Sequence, residues 1–347
     1  MVGRRLRVMQ SFKHPRPTTN PYIVQLDRAL DARPEIEHLR LSRSRALLTH
    51  LDVFHLHWPE TLIEGSSPWK RLLRRAYLRV LLVKLTLDGT AIVRTAHNVE
   101  IPKDATGASR RLLERIEDRA DFRILLNPDT RLPWDSPSMV ITHGHYVDWF
   151  ADILRTGCGP APTPDPDVLG FVGLVRRYKG VEGLIDAFRG TAPGAADMRL
   201  RISGNPTSQE LAREIRTRAG ADRRIDLDLR FLPEADFARA IMGSVGIVLP
   251  YRFMHNSGSV LAALSLARPV LVPRTSVNAA LRREVGQEWV HLFDGDLCAQ
   301  DLLDFWHAVS GGIEGVPDLT GRDWSRAGAD HVAAYRLAVA QRRLHPR

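Results

Sequence analysis

Two glycine-containing segments in the second half of the sequence combine residue types that suit phosphate binding. In the first, an apolar run ends in a glycine turn and cations follow before a helical pattern begins; its candidate ligands are Gly173, Arg176, Arg177 and Lys179. Glycine allows a ligand to approach the backbone closely, and Arg and Lys neutralise a diphosphate. The same pattern also occurs in an ordinary turn with solvated cations.

The second segment places polar helix-capping residues before the apolar run 260–266; its candidate ligands are Asn256, Ser257, Gly258 and Ser259. Backbone N–H groups and the helix dipole at such an N-terminus attract an anion, although a merely well-capped helix has the same pattern. Because both segments follow strand patterns in the same half, together they predict a diphosphate clamp. Neither segment matches the P-loop or the Gly-x-Gly-x-x-Gly fingerprint, which disfavours a P-loop NTPase and a dinucleotide-binding fold.

Polar and titratable residues in the first half follow short apolar runs. The candidates are Thr19, Asn20, Tyr22, His57, Glu60, His97, Asn98, Glu100, His143 and His145. Ligands of open α/β sheets bind at the carboxyl ends of the strands, so this clustering predicts a functional site, although a histidine taken alone is more often a hydrogen-bonded structural residue. His55 and His57 could suggest a metal, but Cys and Asp partners at metal-ligand spacing are missing, so no metal site is predicted.

The elements that must position these residues are visible as short apolar runs alternating with helical patterns, which is typical of a parallel sheet with crossover helices. A chain of 347 residues is long enough for two such domains. Prolines and glycines in residues 157–167 disfavour helix and sheet alike and predict a linker between a first domain, 1–156, and a second, 168–320. Residues 321–347 predict a helix that returns to the first domain. The pattern therefore predicts an α/β protein of the GT-B architecture, with two Rossmann-like domains facing a cleft that holds the active site.

The positive charge is concentrated in the first half. Residues 1–164 contain 25 Lys and Arg against 18 Asp and Glu, and the whole chain has a net charge of +9. Residues 68–85 mix cations with apolar side chains, which predicts a helix that contacts an anionic membrane surface, although a crossover helix packed on the sheet shows a similar pattern. Nucleic acid is not expected as a partner, because no recognisable binding module is present.

Other features of the sequence predict a cytoplasmic protein. The first residues lack the apolar stretch of a secretory signal, and no run of 18 apolar residues exists. The two cysteines, Cys158 and Cys298, are far apart and are expected to be free thiols in a reducing compartment.

Longer motifs spread over nearly the whole chain carry a family resemblance; they lie in residues 19–26, 53–60, 93–98, 143–150, 178–182, 254–258, 263–271 and 278–286. They resemble the bacterial GDP-mannose:glycolipid 4-beta-D-mannosyltransferases, which add the terminal mannose to the lipid-linked repeat unit of xanthan-type exopolysaccharides. The resemblance implies a GT-B fold, GDP-mannose as donor, inversion at the anomeric carbon, and no cofactor or metal. It also implies a polyprenyl-diphosphate-linked oligosaccharide ending in glucuronic acid as acceptor, and a peripheral position on the inner face of the cell membrane.

One departure from the retaining GT-B families concerns the phosphate-binding helix. Those families place two glutamates around it, whereas Met254 and Ala262 occupy the corresponding positions here. A ribose contact must therefore come from elsewhere or be absent. The departure also keeps open a scaffold that binds nucleotide sugars without catalysis.

Inversion requires a base that deprotonates the attacking hydroxyl group of the acceptor. Glu60 is the first candidate, and Glu100, Asp148, His57 and His145 are the alternatives. The acceptor side is expected to include Thr19, Asn20, Tyr22, His97, Asn98 and His143. No residue distinguishes guanine from uracil, so a UDP-linked donor for another glycan stays open, as does a phosphorylase or an epimerase on the same layout.

Overall fold

The structure, a computed structural model, describes residues 4–16, 19–97, 106–132, 136–156, 160–191, 197–252 and 258–345. The chain divides into two compact units. The first comprises Met1–Gly144 and Arg322–Arg347, and the second comprises His145–Gly321.

The first unit contains a parallel sheet whose described strands have the order β2-β1-β3-β4-β5-β6. Its elements up to residue 144 are β1 (Leu6–Gln10), α1 (Pro21–Asp31), β2 (Ile36–Leu39), α2 (Arg43–Leu48), β3 (Val53–Leu56), α3 (Pro59–Ile63), α4 (Pro68–Leu87), β4 (Ala91–Ala96), α5 (Gly107–Arg119), β5 (Phe122–Leu125) and β6 (Ser138–Val140).

Both faces of this sheet are buried, so its central strands are apolar on both sides. Val8 and Val53 belong to one core cluster, which includes residues of α1. Their chain neighbours Met9 and Phe54 belong to a second cluster, with residues of α2 to α5. Because side chains alternate along a strand, consecutive residues supply the two opposite cores.

The second unit contains a parallel sheet with the described order β12-β11-β10-β7-β8-β9. Its elements are α6 (Val147–Thr156), β7 (Asp165–Val172), a 3-10 turn (Arg177–Lys179), α7 (Val181–Arg189), β8 (Arg199–Ser203), α8 (Gln209–Ala219), β9 (Ile225–Asp228), α9 (Glu234–Met242), β10 (Ser244–Val248), α10 (Gly258–Ser265), β11 (Val270–Pro273), α11 (Ser276–Val285), β12 (Val290–Phe293) and α12 (Ala299–Val309).

The last helix, α13 (Trp324–Leu344), belongs to the first unit although it follows the second in the sequence. It packs against α1, β4 and β5. Ala334, Tyr335 and Ala338 are fully buried there, and they complete the core on the Val8 face of the sheet.

The structure corrects the predicted boundary at residue 156. The division falls between Gly144 and His145, because Phe150 of α6 is buried in the core of the second unit together with Tyr146. The predicted linker, 157–167, is also too long: Asp165 already pairs with Ser244 as the start of β7. The proline at 166 is tolerated because it stands at the beginning of the strand, where the Asp165 N–H donates to the Gly243 carbonyl.

Candidate active site

The register of the first sheet brings three polar side chains together at the carboxyl ends of β1, β3 and β4. Gln10 lies beside His55, and His55 lies beside Val93, two residues before Thr95. Since side chains alternate along strands, Gln10, His55 and Thr95 share the face that α13 covers. His57, two residues beyond His55, follows the same direction.

His57 is hydrogen-bonded through both ring nitrogens. Its Nε2 lies 3.0 Å from Gln10 Oε1, which only accepts, so Nε2 carries the proton. In the neutral ring, Nδ1 then accepts from His97 Nε2 at 3.3 Å. The direction of these two bonds fixes one tautomer of each ring.

Tyr335 of α13 extends this chain of hydrogen bonds to His55. Gln10 Nε2 donates to Tyr335 Oη at 3.0 Å, and that hydroxyl lies 2.9 Å from His55 Nδ1. Because the tyrosine oxygen accepts from Gln10, its own proton is directed at His55 Nδ1. His55 Nε2 therefore donates to Thr95 Oγ1 at 2.8 Å. One directed chain thus connects three strand ends with the last helix.

Burial keeps the imidazoles of this cluster neutral. His55 and His57 are 0% and 1% exposed, and burial lowers the pKa of both, and that of His97, well below the usual 6.5. Burial also lowers the pKa of His143 to about 4. Among the described residues, no group of three or more His, Cys, Asp or Glu side chains could hold a metal ion.

Aromatic rings surround His97. Trp58 stacks on it with the ring centroids 3.8 Å apart, and Tyr22 meets it edge-on at 5.1 Å. Tyr22 also contacts His143 at 4.8 Å and Trp324 at 5.4 Å, and it is 3% exposed. Tyr22 is therefore a buried wall of the cluster.

Glu60 lies in the first turn of α3, three residues after His57. Its carboxyl group is partly buried, and burial raises its pKa above the usual value, whereas the charge of Arg94 lowers it. Arg94 is held in place by Glu117 at 2.8 Å and by the His57 carbonyl. A carboxylate with a raised pKa at a strand end is suited to accept a proton.

The acceptor-side candidates Thr19, Asn20 and His143 have local hydrogen-bond partners. Asn20 Oδ1 caps α1 by accepting from the Tyr22 N–H at 2.9 Å, and Thr19 Oγ1 accepts from the Arg16 N–H at 2.8 Å. His143 Nδ1 donates to the Gly144 carbonyl at 2.9 Å. These contacts shape the loops beside the cluster.

Two of the alternative bases, His145 and Asp148, lie in the second unit and not in the predicted first domain. His145 Nδ1 accepts from the Val147 N–H at 3.3 Å, at the start of α6, and Asp148 is exposed in the first turn of that helix. The predicted boundary at residue 156 assigns both to the first domain, whereas the second unit begins at His145. Four predicted site residues lie outside the described residues, namely Asn98, Glu100, Asn256 and Ser257.

In the second unit, three predicted clamp residues converge on one space. Gly173 has a φ of +129°, and a Cβ built on it would lie 3.5 Å from Lys179 Nζ and 3.8 Å from Ser259 Oγ. Glycine adopts this backbone conformation readily and leaves the space open. The space is bordered by an amine, by a hydroxyl and by the first residues of α10, which is the environment that the diphosphate prediction requires.

Lys179 is buried, and no described residue supplies a counter-ion for it. It is 8% exposed, and its Nζ lies 4.8 Å from the ring centroid of Tyr251. Burial, assisted by the charge of Arg176, lowers its pKa to about 8. No carboxylate within the described part of the chain pairs with it. An incoming anion would therefore stabilise the charged amine.

The neighbouring cations are placed differently. Arg177 is 59% exposed and pairs with Glu214 at 2.9 Å and with Glu182 at 3.5 Å. Arg176 is exposed. Of the three predicted cations, Lys179 alone is buried beside Gly173. Arg177 already forms ion pairs with carboxylates of α7 and α8.

Sequence reasoning missed Gln10, Tyr251 and Tyr335. Tyr251 is 5% exposed, and its hydroxyl, beside Ser259, has no geometric hydrogen-bond partner among the described residues. Its position three residues after the end of β10 (Ser244–Val248) is a signal that could have identified it. Tyr335 has no such signal, because it is 280 positions from its partner His55 and lies within an ordinary helical pattern.

Helix α4 carries an apolar stripe that faces solvent, in addition to its buried side. Leu78, Leu81, Leu82 and Leu85 are buried. The exposed stripe runs along the whole helix and consists of Trp69, Leu72, Leu73, Val80, Val83 and Leu87. None of the described helices is long and apolar enough to cross a membrane.

Comparison with solved structures identifies the fold. Sucrose-phosphate synthase from Thermosynechococcus elongatus has a TM-score of 0.57 at 14% identity, and the match covers 98% of each chain. Anabaena HepE, solved in complex with UDP, has a TM-score of 0.55 at 15% identity, also over 98% of each chain. Both have the GT-B fold, so the predicted α/β GT-B fold is confirmed.

Comparison of sequences identifies the family, although no protein-family model matches the chain. A curated relative from Xanthomonas campestris pv. campestris is 39% identical over 341 residues, which is 97% of this chain and 94% of the relative. That relative is a GDP-mannose:glycolipid 4-beta-D-mannosyltransferase. A match of this identity and length confirms the resemblance and the prediction of an enzyme. The chain belongs to the family of GDP-mannose:glycolipid 4-beta-D-mannosyltransferases and is a glycosyltransferase.

Proposed function

We propose that this enzyme transfers mannose from GDP-mannose to a polyprenyl-diphosphate-linked oligosaccharide, with inversion, in exopolysaccharide biosynthesis. The new bond is β-1,4 to a terminal glucuronic acid. The observation that carries the proposal is the 39% identity, along 97% of the chain, to a curated transferase named for this donor and for a glycolipid acceptor.

The space beside Gly173 supports the donor part of the proposal. A diphosphate there would meet the buried Lys179 amine, the Ser259 hydroxyl and the N-terminal end of α10. The charge that develops on the departing GDP is then neutralised by protein groups, and no metal ion or cofactor is required.

Glu60 supports the chemical step. In the proposed reaction an acceptor hydroxyl oxygen attacks the anomeric carbon, the bond from that carbon to the diphosphate oxygen breaks, and the hydroxyl proton moves to the Glu60 carboxylate. Burial raises the pKa of Glu60, which makes its carboxylate a stronger base for the proton of the acceptor hydroxyl. The neutral histidine cluster positions the surrounding loops and carries no charge of its own.

The exposed stripe of α4 supports the proposal that the enzyme acts at an anionic membrane surface, on the cytoplasmic face of the membrane. Trp69, Leu72 and Leu73 are each at least half exposed, and cations at positions 70, 74 and 79 lie on the same helix. Apolar side chains inserted among lipids and cations at the headgroups act together in such interfacial helices.

The direct test is incubation of the purified enzyme with radiolabelled GDP-mannose and membranes that contain lipid-linked oligosaccharides. We expect label in the lipid fraction and none when UDP-glucose replaces the donor. Release of free mannose without labelled lipid would contradict transfer to a glycolipid. A thermal-shift series with GDP, UDP and dTDP checks the base, because a ligand that binds the folded state raises its melting temperature.

The membrane part is tested separately by sedimentation with vesicles. We expect binding to vesicles containing anionic phosphatidylglycerol, weaker binding to phosphatidylcholine alone, and loss of binding in the Leu72→Ser, Leu73→Ser double variant. Leu337→Ser is the matched control, because Leu337 is an exposed leucine of α13 in the same unit. Equal binding by both variants would contradict the role of α4.

A further inference from the structure

A basic cavity lies at the same edge of the first sheet as the histidine cluster. It has a volume of about 610 Å³ and is formed by the residues that follow β1 and β2; its basic lining residues include Lys13, Arg16, His38, Arg40 and Arg45. The two segments are joined by a hydrogen bond of 2.7 Å from the Leu41 N–H to the Phe12 carbonyl. The volume is within the range of small-molecule sites.

The cavity has an excess of positive charge. No Asp or Glu is among its lining residues. Lys13, Arg16 and Arg45 are exposed and have no ionic partner within the described part of the chain. No described carboxylate compensates their charges, and an anion would relieve their mutual repulsion.

Arg40 differs from these three cations because it is fixed. Its Nε and Nη2 donate to the two oxygens of Asp27 at 2.8 and 2.9 Å, and it also contacts Asp31. His38 donates from Nδ1 to Asp31 at 2.8 Å. Burial lowers the pKa of His38, so this rigid floor of one arginine and two carboxylates has one net negative charge. The excess positive charge therefore belongs to the three exposed cations at the rim.

Phe12 separates the cavity from the histidine cluster. Its ring centroid lies 6.4 Å from that of His38, in the cavity floor, and 5.4 Å from that of His57. A ligand that extends from the cluster past one phenylalanine ring would reach the cavity. Both features are within the first unit.

We propose that this cavity binds a multiply charged oxyanion of the phosphate or diphosphate class, carried by the acceptor. Three exposed cations around a rigid floor suit a group with two or more negative charges better than a single carboxylate. That the anion belongs to the acceptor rests on the proposed function; the anion site itself does not.

The first test measures pyrophosphate binding by calorimetry, with GDP saturating the donor site. We expect binding to the wild-type enzyme and roughly tenfold or greater loss of affinity in the Lys13→Ala, Arg16→Ala, Arg45→Ala variant, because charge-assisted contacts are lost. The matched control is Arg115→Ala, Arg336→Ala, Arg343→Ala, which removes three exposed charges from the same unit outside the cavity. Equal pyrophosphate affinity in the two triple variants would overturn the proposal.

Glucuronate and glucose serve as further probes. We expect weak or no binding of glucuronate at concentrations where pyrophosphate saturates the cavity, and no binding of glucose. Preference for glucuronate over pyrophosphate would overturn the assigned ligand class. Arg45→Glu is a second variant, which should weaken binding of pyrophosphate further than Arg45→Ala while the circular dichroism spectrum stays that of the wild type.

The acceptor assignment is tested with the transfer assay. The cavity variant should raise the KM for the lipid-linked acceptor roughly tenfold, with little change in kcat or in the KM for GDP-mannose, because the contact is made equally in the ground and transition states. An unchanged acceptor KM would overturn that assignment. If wild-type enzyme binds pyrophosphate in the cavity but transfers no mannose to lipid, the proposed function fails and the anion site stands.

Discussion

The polar groups at the two sheet edges are buried to a similar degree but differ in how their hydrogen bonds and charges are satisfied. In the first unit, His55 and His57 bond to protein groups through both ring nitrogens, and burial keeps them neutral. In the second unit, Lys179 is buried with a depressed pKa and without a carboxylate partner among the described residues. A cluster whose hydrogen bonds are all made within the protein fixes the positions of its side chains. A buried charge without a described counter-ion is suited to bind an anionic ligand. The difference is consistent with the proposed roles, which are positioning for the first site and donor binding for the second.

Replacement of Glu60 tests whether the first site contains chemistry beyond its satisfied histidines. Glu60→Gln should lower kcat by roughly 10²- to 10⁴-fold, since a neutral amide cannot accept the acceptor's proton. GDP affinity should stay unchanged, because the proposed donor contacts lie in the second unit. Steady-state kinetics and calorimetry check both parts.

Glu64→Gln is the control for this experiment, because Glu64 is an exposed glutamate at the end of the same short helix. Near-wild-type turnover of Glu60→Gln would show that another group is the base. The contrast between the two units would then have to be redrawn around that group.

Removal of the buried amine tests the second site. Lys179→Ala should weaken GDP binding by roughly 10- to 100-fold, the loss expected for a hydrogen bond to a charged group. Arg177→Ala should change it far less, because Arg177 is mostly exposed and already pairs with glutamates. Calorimetric titration with GDP checks the pair, and equal effects of the two substitutions would refute the distinction between them.

The pH dependence of GDP binding follows from the pKa of about 8 at Lys179. Below pH 8 the amine is mostly charged and binds the diphosphate; above pH 8 it is mostly neutral in the free enzyme, so affinity should fall as pH rises. Binding should also take up protons above pH 8, because the anion favours the charged form. Titrations in buffers of different ionisation enthalpy measure this uptake, and its absence in Lys179→Ala is the control.

The smallest effect is expected from breaking the hydrogen-bond chain of the first site. Tyr335→Phe leaves Gln10 Nε2 and His55 Nδ1 without their buried partner, which should lower the free energy of unfolding by about 1–3 kcal/mol. Tyr77→Phe should have a smaller effect, because the Tyr77 hydroxyl donates to the Arg43 carbonyl in an exposed place. Urea denaturation compares the two variants. Equal free energies of unfolding would mean that the hydrogen-bond chain contributes little to the stability of the first unit.

The sequence predicts fold and family well because both depend on patterns that many residues share. Alternating apolar runs predict the parallel sheets, and long motifs predict the family that the Xanthomonas relative confirms. Placing Lys179 near Ser259 required only that both follow strands of one sheet.

Single side chains are harder to predict, because their roles depend on tertiary packing. Arg177 and Lys179 are both cations two positions apart in the sequence. Within one turn of 3-10 helix, however, Arg177 faces solvent and Lys179 is buried. Tyr335 reads as an ordinary core residue until α13 is packed on the sheet. The boundary after Gly144 likewise depends on which core receives Phe150.

The return of α13 to the first unit has a consequence for synthesis on the ribosome. Residues 1–144 emerge first, but Ala334, Tyr335 and Ala338, which cover one face of their sheet, are translated only after the whole second unit. The second unit is continuous in sequence and can close its core while the first still exposes apolar surface. The nascent N-terminal sheet must therefore be shielded from aggregation until α13 has been translated.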